Sequence, residues 1–157
     1  MKKVQVNTVR DGYVKKLPGD ATEYFDGSGN WTKPGMAGVD TLNFVIDGGG
    51  AVIATGVVGD IGPYDFDLTF AVGSLLADQS GSIAIAFWAD TFPGNYPPTI
   101  ADVISASAPL TISSDDHSQD TTLTGWTTLL PKGKSVRVNV NSCTSIKRVG
   151  VALKYTR

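Results

Sequence analysis

The sequence predicts an all-β chain: a jelly-roll-like antiparallel β-sandwich preceded by an extended N-terminal arm. Three observations predict it. Apolar residues recur with a period of two in several short runs, the pattern of half-buried strands. Gly supplies 18 and Pro 8 of the 157 residues, a balance that favours turns over helices. Of the fifteen acidic residues fourteen are Asp and only Glu23 is Glu, and Asp suits turns where Glu suits helix interiors. A chain of this length builds one sizeable core plus an arm rather than two ordinary domains. Residues 1–36 are therefore read as arm and junction, and residues 37–157 as the sandwich.

Each element follows in chain order. Residues 4–9, VQVNTV, alternate weakly and read as a short strand or as an arm that pairs with a partner's sheet edge. Residues 17–34, LPGDATEYFDGSGNWTKP, are punctuated by Gly and Pro so densely that neither a long helix nor a long strand fits. Residues 42–46 and 51–58 are apolar runs joined by Asp47-Gly48-Gly49-Gly50 and predict a hairpin. Phe66, Leu68, Phe70 and Val72 alternate with Asp67, Thr69 and Ala71 and predict a strand. Residues 82–88 are apolar on both faces, with Ile83, Ile85 and Phe87 opposite Ala84, Ala86 and Trp88, and predict a central strand. Residues 92–98, FPGNYPP, predict a loop, and residues 99–104 a short strand or a single helical turn. Strands over residues 121–128, over 135–140 with Val136, Val138 and Val140 inward, and over 146–155 with Val149, Val151, Leu153 and Tyr155 inward bring the count to about eight. Eight short strands with long irregular connections suit a double-sheet jelly roll better than an up-and-down barrel.

Charge is segregated along the chain. Residues 35–131 hold eleven Asp and no Lys or Arg, residues 132–157 hold seven Lys or Arg and no acid, and residues 1–34 hold six basic and four acidic groups. The net charge of −2 thus conceals blocks of +2, −11 and +7. In an antiparallel sheet Arg137, Lys147 and Lys154 would neutralise Asp residues across the strands. Alternatively, the basic strands form one face toward an acidic partner. Nucleic acid is a poor partner, because the basic block carries one aromatic, Tyr155, and the whole chain is acidic.

Catalytic patterns are sparse. The single His117 lies in SSDDHSQD, and Asp116, His117 and Ser118 in one extended run point different ways rather than converging as a hydrolytic triad must. That stretch reads as a solvated loop. Asp65 and Asp67, two apart, would project from one strand face, with no second carboxylate marked at the separation glycoside hydrolysis requires. Asp115, Asp116 and Asp120, or Asp47 and Asp60, offer oxygen ligands, but no loop has the spacing of a calcium-binding hand. One Cys and one His exclude ordinary transition-metal sets. A non-enzymatic chain without metal or cofactor is expected. Cys143 is alone, so it reads as a packed thiol with no intrachain disulfide. Met1-Lys2-Lys3 is followed by alternating polar residues and no apolar run approaches 18 residues. No membrane insertion is expected, and synthesis and assembly are expected in the cytosol.

The junction carries a resemblance. Pro18, Gly19-Asp20-Ala21-Thr22, Tyr24-Phe25, Asp26-Gly27-Ser28-Gly29-Asn30-Trp31 and Pro34 resemble the stem-to-head junctions of tailed-bacteriophage fibre and spike proteins. The stretches DGGGAVIATG (47–56), LLADQSGSI (75–83) and DTTLTGWTT (120–128) resemble a β module at the distal ends of phage virion proteins. The junction covers about an eighth of the chain. The resemblance implies a virion structural protein on the particle surface, a homotrimer, most simply a capsid decoration (cement) protein or short head fibre. Its arm would attach to the major capsid protein or another virion protein. Tyr24, Phe25 and Trp31 are the candidate arm anchors, since a short segment cannot bury three aromatics against itself. Lys2, Lys3, Lys15 and Lys16 are candidates for steering to an acidic shell. The alternative is a tail fibre or receptor-binding tip in which Trp88, Phe92, Tyr96 and Trp126 face a host surface glycan. Each of these aromatics is also a candidate for core or subunit contact.

Overall fold

The computed structural model describes residues 38–157, together with the backbone of two short upstream strands, β1 (Tyr24–Phe25) and β2 (Trp31–Thr32). The chain divides into two units, Met1–Met36 and Ala37–Arg157. In the first, β1 and β2 pair antiparallel with Phe25 opposite Trp31. The expected strand over residues 4–9 and the side chains of Lys2, Lys3, Lys15, Lys16, Tyr24, Phe25 and Trp31 lie outside the described residues.

The second unit is all-β and antiparallel: β3 (Val39–Asp47), β4 (Gly56–Ile61), β5 (Leu68–Thr91), β6 (Leu110–Asp120), β7 (Leu129–Leu130), β8 (Lys134–Thr144) and β9 (Arg148–Thr156). A 3-10 turn at Ile100–Asp102 opens on a Thr99/Asp102 capping box, the helical turn being one of the two expectations for that stretch. β5 is 24 residues long, too long for one twisted sheet, and its halves serve different sheets. Residues 68–77 lie between β9 and the end of β6, and residues 82–91 pair with β8, with the start of β6 on their other side. The seven strands form one antiparallel sheet that curls at β5 and β6 into two jelly-roll-like layers, β3-β9-β5-β6 and β4-β8-β5-β6, with β7 on the start of β5.

The β5–β6 register slips between Leu76 and Gly81 and again between Gly81 and Ile83, and such bulges bend strands sharply. At that corner Gly81 lies against the Thr144 carbonyl oxygen, and a Cβ there would also sit 2.8 Å from Ile146 Cγ1. Inward residues from both layers close the core: Leu68, Phe70 and Leu75 of one half of β5, Ile83, Ile85 and Phe87 of the other, Val136, Val138 and Val140 of β8, and Val149, Val151, Leu153 and Tyr155 of β9. The inward sets expected for β8 and β9 are those observed, and of the two apolar faces of residues 82–88 the one with Ile83, Ile85 and Phe87 is inward.

Other expectations are corrected. Residues 42–46 and 51–58 form no hairpin, because β3 pairs with β9 and β4 with β8. The glycines instead let the chain cross from one layer to the other. Gly48 N donates to Lys147 O at 2.8 Å, Ile53 N donates to Ile146 O at 3.0 Å, and Ile53 is buried beneath the crossing. The alternation from Phe66 to Val72 breaks at a register shift between Phe70 and Val72, after which Gly73 and Leu75 face inward. The stretch read as a solvated loop is most of β6, while residues 121–128 are a turn. Asp120 Oδ1 accepts from Thr122 N and Leu123 N, each at 2.9 Å, and ends the strand.

The topology also accounts for the charge blocks. β8 lies between β4 and β5, and β9 between β3 and β5. Arg137 accordingly meets Asp60 at 2.7 Å, Arg148 meets Asp47 at 2.8 Å, Lys134 meets Asp90 at 3.6 Å and Arg157 meets Asp40 at 3.9 Å. Among the described residues neither Lys147 nor Lys154 joins an ion pair; Asp78 instead accepts from the Lys147 backbone at 3.1 Å.

The corner yields a prediction. Gly81→Ala should lower stability by about 1–3 kcal/mol through overpacking. Gly94→Ala, where a Cβ meets nothing within 4 Å, should stay within about 0.5 kcal/mol. Urea unfolding of both variants checks the contrast.

Candidate functional site

The site begins with the turn that leaves β5. Phe92 N donates to Gly133 O at 2.9 Å, Asn95 N to Thr91 O at 2.9 Å and Tyr96 N to Pro93 O at 3.4 Å. The Phe92–Pro93 and Tyr96–Pro97 bonds are cis. This tight reversal lays the 92–98 loop against the outer face of the β4-β8-β5 layer. On that face Asp60, Arg137 and Trp88 occupy one row across three strands.

Arg137 grips Asp60 with two parallel bonds, Nε to Oδ1 and Nη2 to Oδ2, both 2.7 Å, the bidentate geometry in which guanidinium binds carboxylate best. The Tyr96 hydroxyl donates to the same Asp60 Oδ2 at 2.9 Å. The guanidinium carbon lies 5.9 Å from the Tyr96 ring centroid, within cation–π range. Phe92 then meets Tyr96 edge-on, with centroids 5.4 Å apart and planes at 75°. The burial is inverted relative to an ordinary surface: the Arg137 and Asp60 side chains are 18% and 25% exposed, whereas Phe92 and Tyr96 are 42% and 45% exposed. The Arg137 hydrogen bonds, with a smaller contribution from Tyr96, outweigh desolvation and hold the Asp60 carboxyl below the usual range. Nearby, Asp90 is held low chiefly by its bond from Thr91 N, with Asn95 and Lys134 adding to it.

Of the four aromatics expected to face a glycan, Phe92 and Tyr96 are exposed and together, and Trp88 is half-buried on the same face beside Arg137 in the register. Trp126 is corrected. It is 9% exposed, its Nε1 donates to Ala108 O at 2.7 Å, and its ring packs 5.3 Å from Phe87 and 6.5 Å from Phe70. It is a core residue with its one polar group satisfied internally. The sequence marks Asp60 as a possible calcium ligand and Arg137 as a cross-strand neutraliser or part of a basic face, and neither as support for the loop. The two are 77 positions apart, and only the β4–β8 register unites them.

The remaining chemical candidates disperse. Asp116 and His117 were expected to diverge, but the bend at Ser114, φ 54°, lies just upstream and His117 Nδ1 sits 2.6 Å from Asp116 Oδ1. Ser118 pairs with Leu75 while His117 pairs with Leu76, so the two alternate across the strand and no triad forms. Asp116, then Asp115, raise the His117 pKa. Asp115, Asp116 and His117 are exposed and offer ligand atoms within 4.8 Å of one another, whereas Asp120, Asp47 and Asp60 are committed to backbone amides or arginines. Asp65 and Asp67 precede β5 instead of sharing a strand face, and Asp67 Oδ1 accepts from Lys132 N at 2.7 Å. Cys143 is half-buried, and burial pushes its thiol pKa up. A cleft of about 790 Å³ lies between β3 and β4, lined by Phe44, Ile46, Ile53, Val58, Ile61 and Val138 among others.

Comparison with protein-family models and with curated protein sequences found no match.

The pair at the centre of the site has a pH signature. Asp60 lies below 3.8 in the folded state, so its contribution is fully present above the unfolded value and fades as pH falls through the lower folded one. Asp60→Asn should cost about 1–2 kcal/mol at neutral pH and flatten the acid limb of the stability profile. Chemical denaturation across the acid range measures both.

Proposed function

We propose that this chain is a non-enzymatic structural protein of a tailed-bacteriophage particle, a homotrimer whose jelly roll is a recognition head that takes a host surface glycan at the 92–98 loop. The phage assignment is supported by the junction motif from Pro18 to Pro34. The recognition role is supported by one observation above all, the Phe92–Tyr96 pair held outward over a partly covered, mutually satisfied Asp60–Arg137 pair. Rings exposed at this level on a rigid support are preorganised, so binding would cost little ordering entropy. Fold alone assigns no function.

A second reading is favoured by the other layer. On the outer face of β3-β9-β5, the row Val45, Gly150 and Leu76 is apolar and low, with Val45 63% and Leu76 65% exposed. A face of that kind suits contact with a sister subunit or a capsid surface, as a decoration protein or short head fibre requires. Three arms on one trimeric body would then bind through effective concentration.

Cryo-electron microscopy of particles with and without the protein tests these readings. Loss of tail-tip or fibre density together with failed adsorption to cells is the expected outcome. Loss of outer-shell density with normal adsorption would move the assignment to capsid decoration, and unchanged particles would end the virion reading.

A further inference from the structure

Resting on the carbohydrate reading above, we propose that the 92–98 surface takes a neutral hexopyranose unit and discriminates against acidic sugars. Two features point there. First, its charges are internally paired. Arg137 spends Nε and Nη2 on Asp60, and Lys134 lies 3.6 Å from Asp90. The two cations nearest the loop are thus each paired with a carboxylate. A uronate or sialate carboxylate would have to compete with Asp60 for a guanidinium that is already held bidentate. A neutral sugar meets no such cost.

Second, the apolar surface has a shape. Phe92 and Tyr96, at 75° to one another, form a corner rather than a flat plate. A pyranose ring presents one flat C–H face and a hydroxyl-bearing edge, so it can lie on one ring and abut the other. The Tyr96 hydroxyl oxygen, which can still accept a hydrogen bond, and the Asn95 side chain near Asp90 are polar groups beside the rings that could orient a ligand on an apolar floor. Guanidinium lies against the Tyr96 ring, which stiffens that ring without offering a free charge.

The test uses the full chain on an array of oligosaccharides ending in galactose, glucose or N-acetylglucosamine, beside others ending in a uronate or sialate. Saturable binding to a neutral terminus is expected, insensitive to salt. Tyr96→Ala and Phe92→Ala should each weaken it about tenfold, a loss in keeping with one aromatic contact, and Tyr96→Phe should restore most of it. Circular dichroism of the same variants confirms that they fold. Binding only to acidic termini, falling as salt rises, would overturn the neutral assignment and leave the carbohydrate reading standing. Neutral binding that both alanine variants retain would overturn the location. Binding to no sugar at all would remove both the inference and the reading beneath it.

Discussion

The structure depends on one covalent constraint: β5 and β6 do not stop at the edge of a layer but turn the corner and continue into the next. Because the two layers share these strands, neither can shift its register without moving the other. The core between them is thereby fixed from one side. Gly81 makes the turn possible by letting the chain press against Thr144 and Ile146, and the register shifts around it give the bend. The opposite side has no such seam. There the layers end at β3 and β4, and the 48–55 crossing, with Ile53 as its plug, is what spans them.

The same arrangement sorts the charges. Over residues 35–157 the acids all precede the bases, so a local hairpin fold there would set like charges side by side. A jelly roll brings the last two long strands between the earlier ones, so opposite blocks become neighbours over separations of 101 positions between Asp47 and Arg148 and 117 between Asp40 and Arg157. Most such pairs are exposed and contribute little. The Asp60–Arg137 pair differs because Tyr96 closes over it. What charge neutralisation supplies at the other positions becomes, here, a rigid floor under two outward aromatic rings.

Legibility in the sequence followed burial. β8 and β9 alternate Val with polar residues because each has one core face, and residues 82–88 read as central because the layer covers both sides. β6 did not read as a strand at all: after Leu110 and Ile112 its residues are Ser, Asp, His and Gln, since only its first turns of alternation touch the core. Residues 121–128 read as a strand because Leu123 and Trp126 are apolar, but these two are buried from a turn. Trp126 shows the limit most plainly: a Trp near Gly and Thr has the composition of an exposed loop, and nothing local announces that Phe70 and Phe87 will close around it. At the recognition surface the loop and its aromatics were visible, whereas the Asp60–Arg137 support was not, because a cross-strand partner is set by register and not by spacing.

The bulge between Val57 and Gly59 has a bearing on colloidal behaviour. Among the described residues both β3 and β4 end their layers, and an unpaired strand edge is a template for foreign strands. β4 is interrupted at its middle, so it cannot template a ladder along its length. β3 runs through nine unbroken pairs with β9 and contains no Pro or Lys, only Asp40 and Asp47 near its ends. Of the two edges on that side, β3 is thus the one that could template a foreign strand along its whole length.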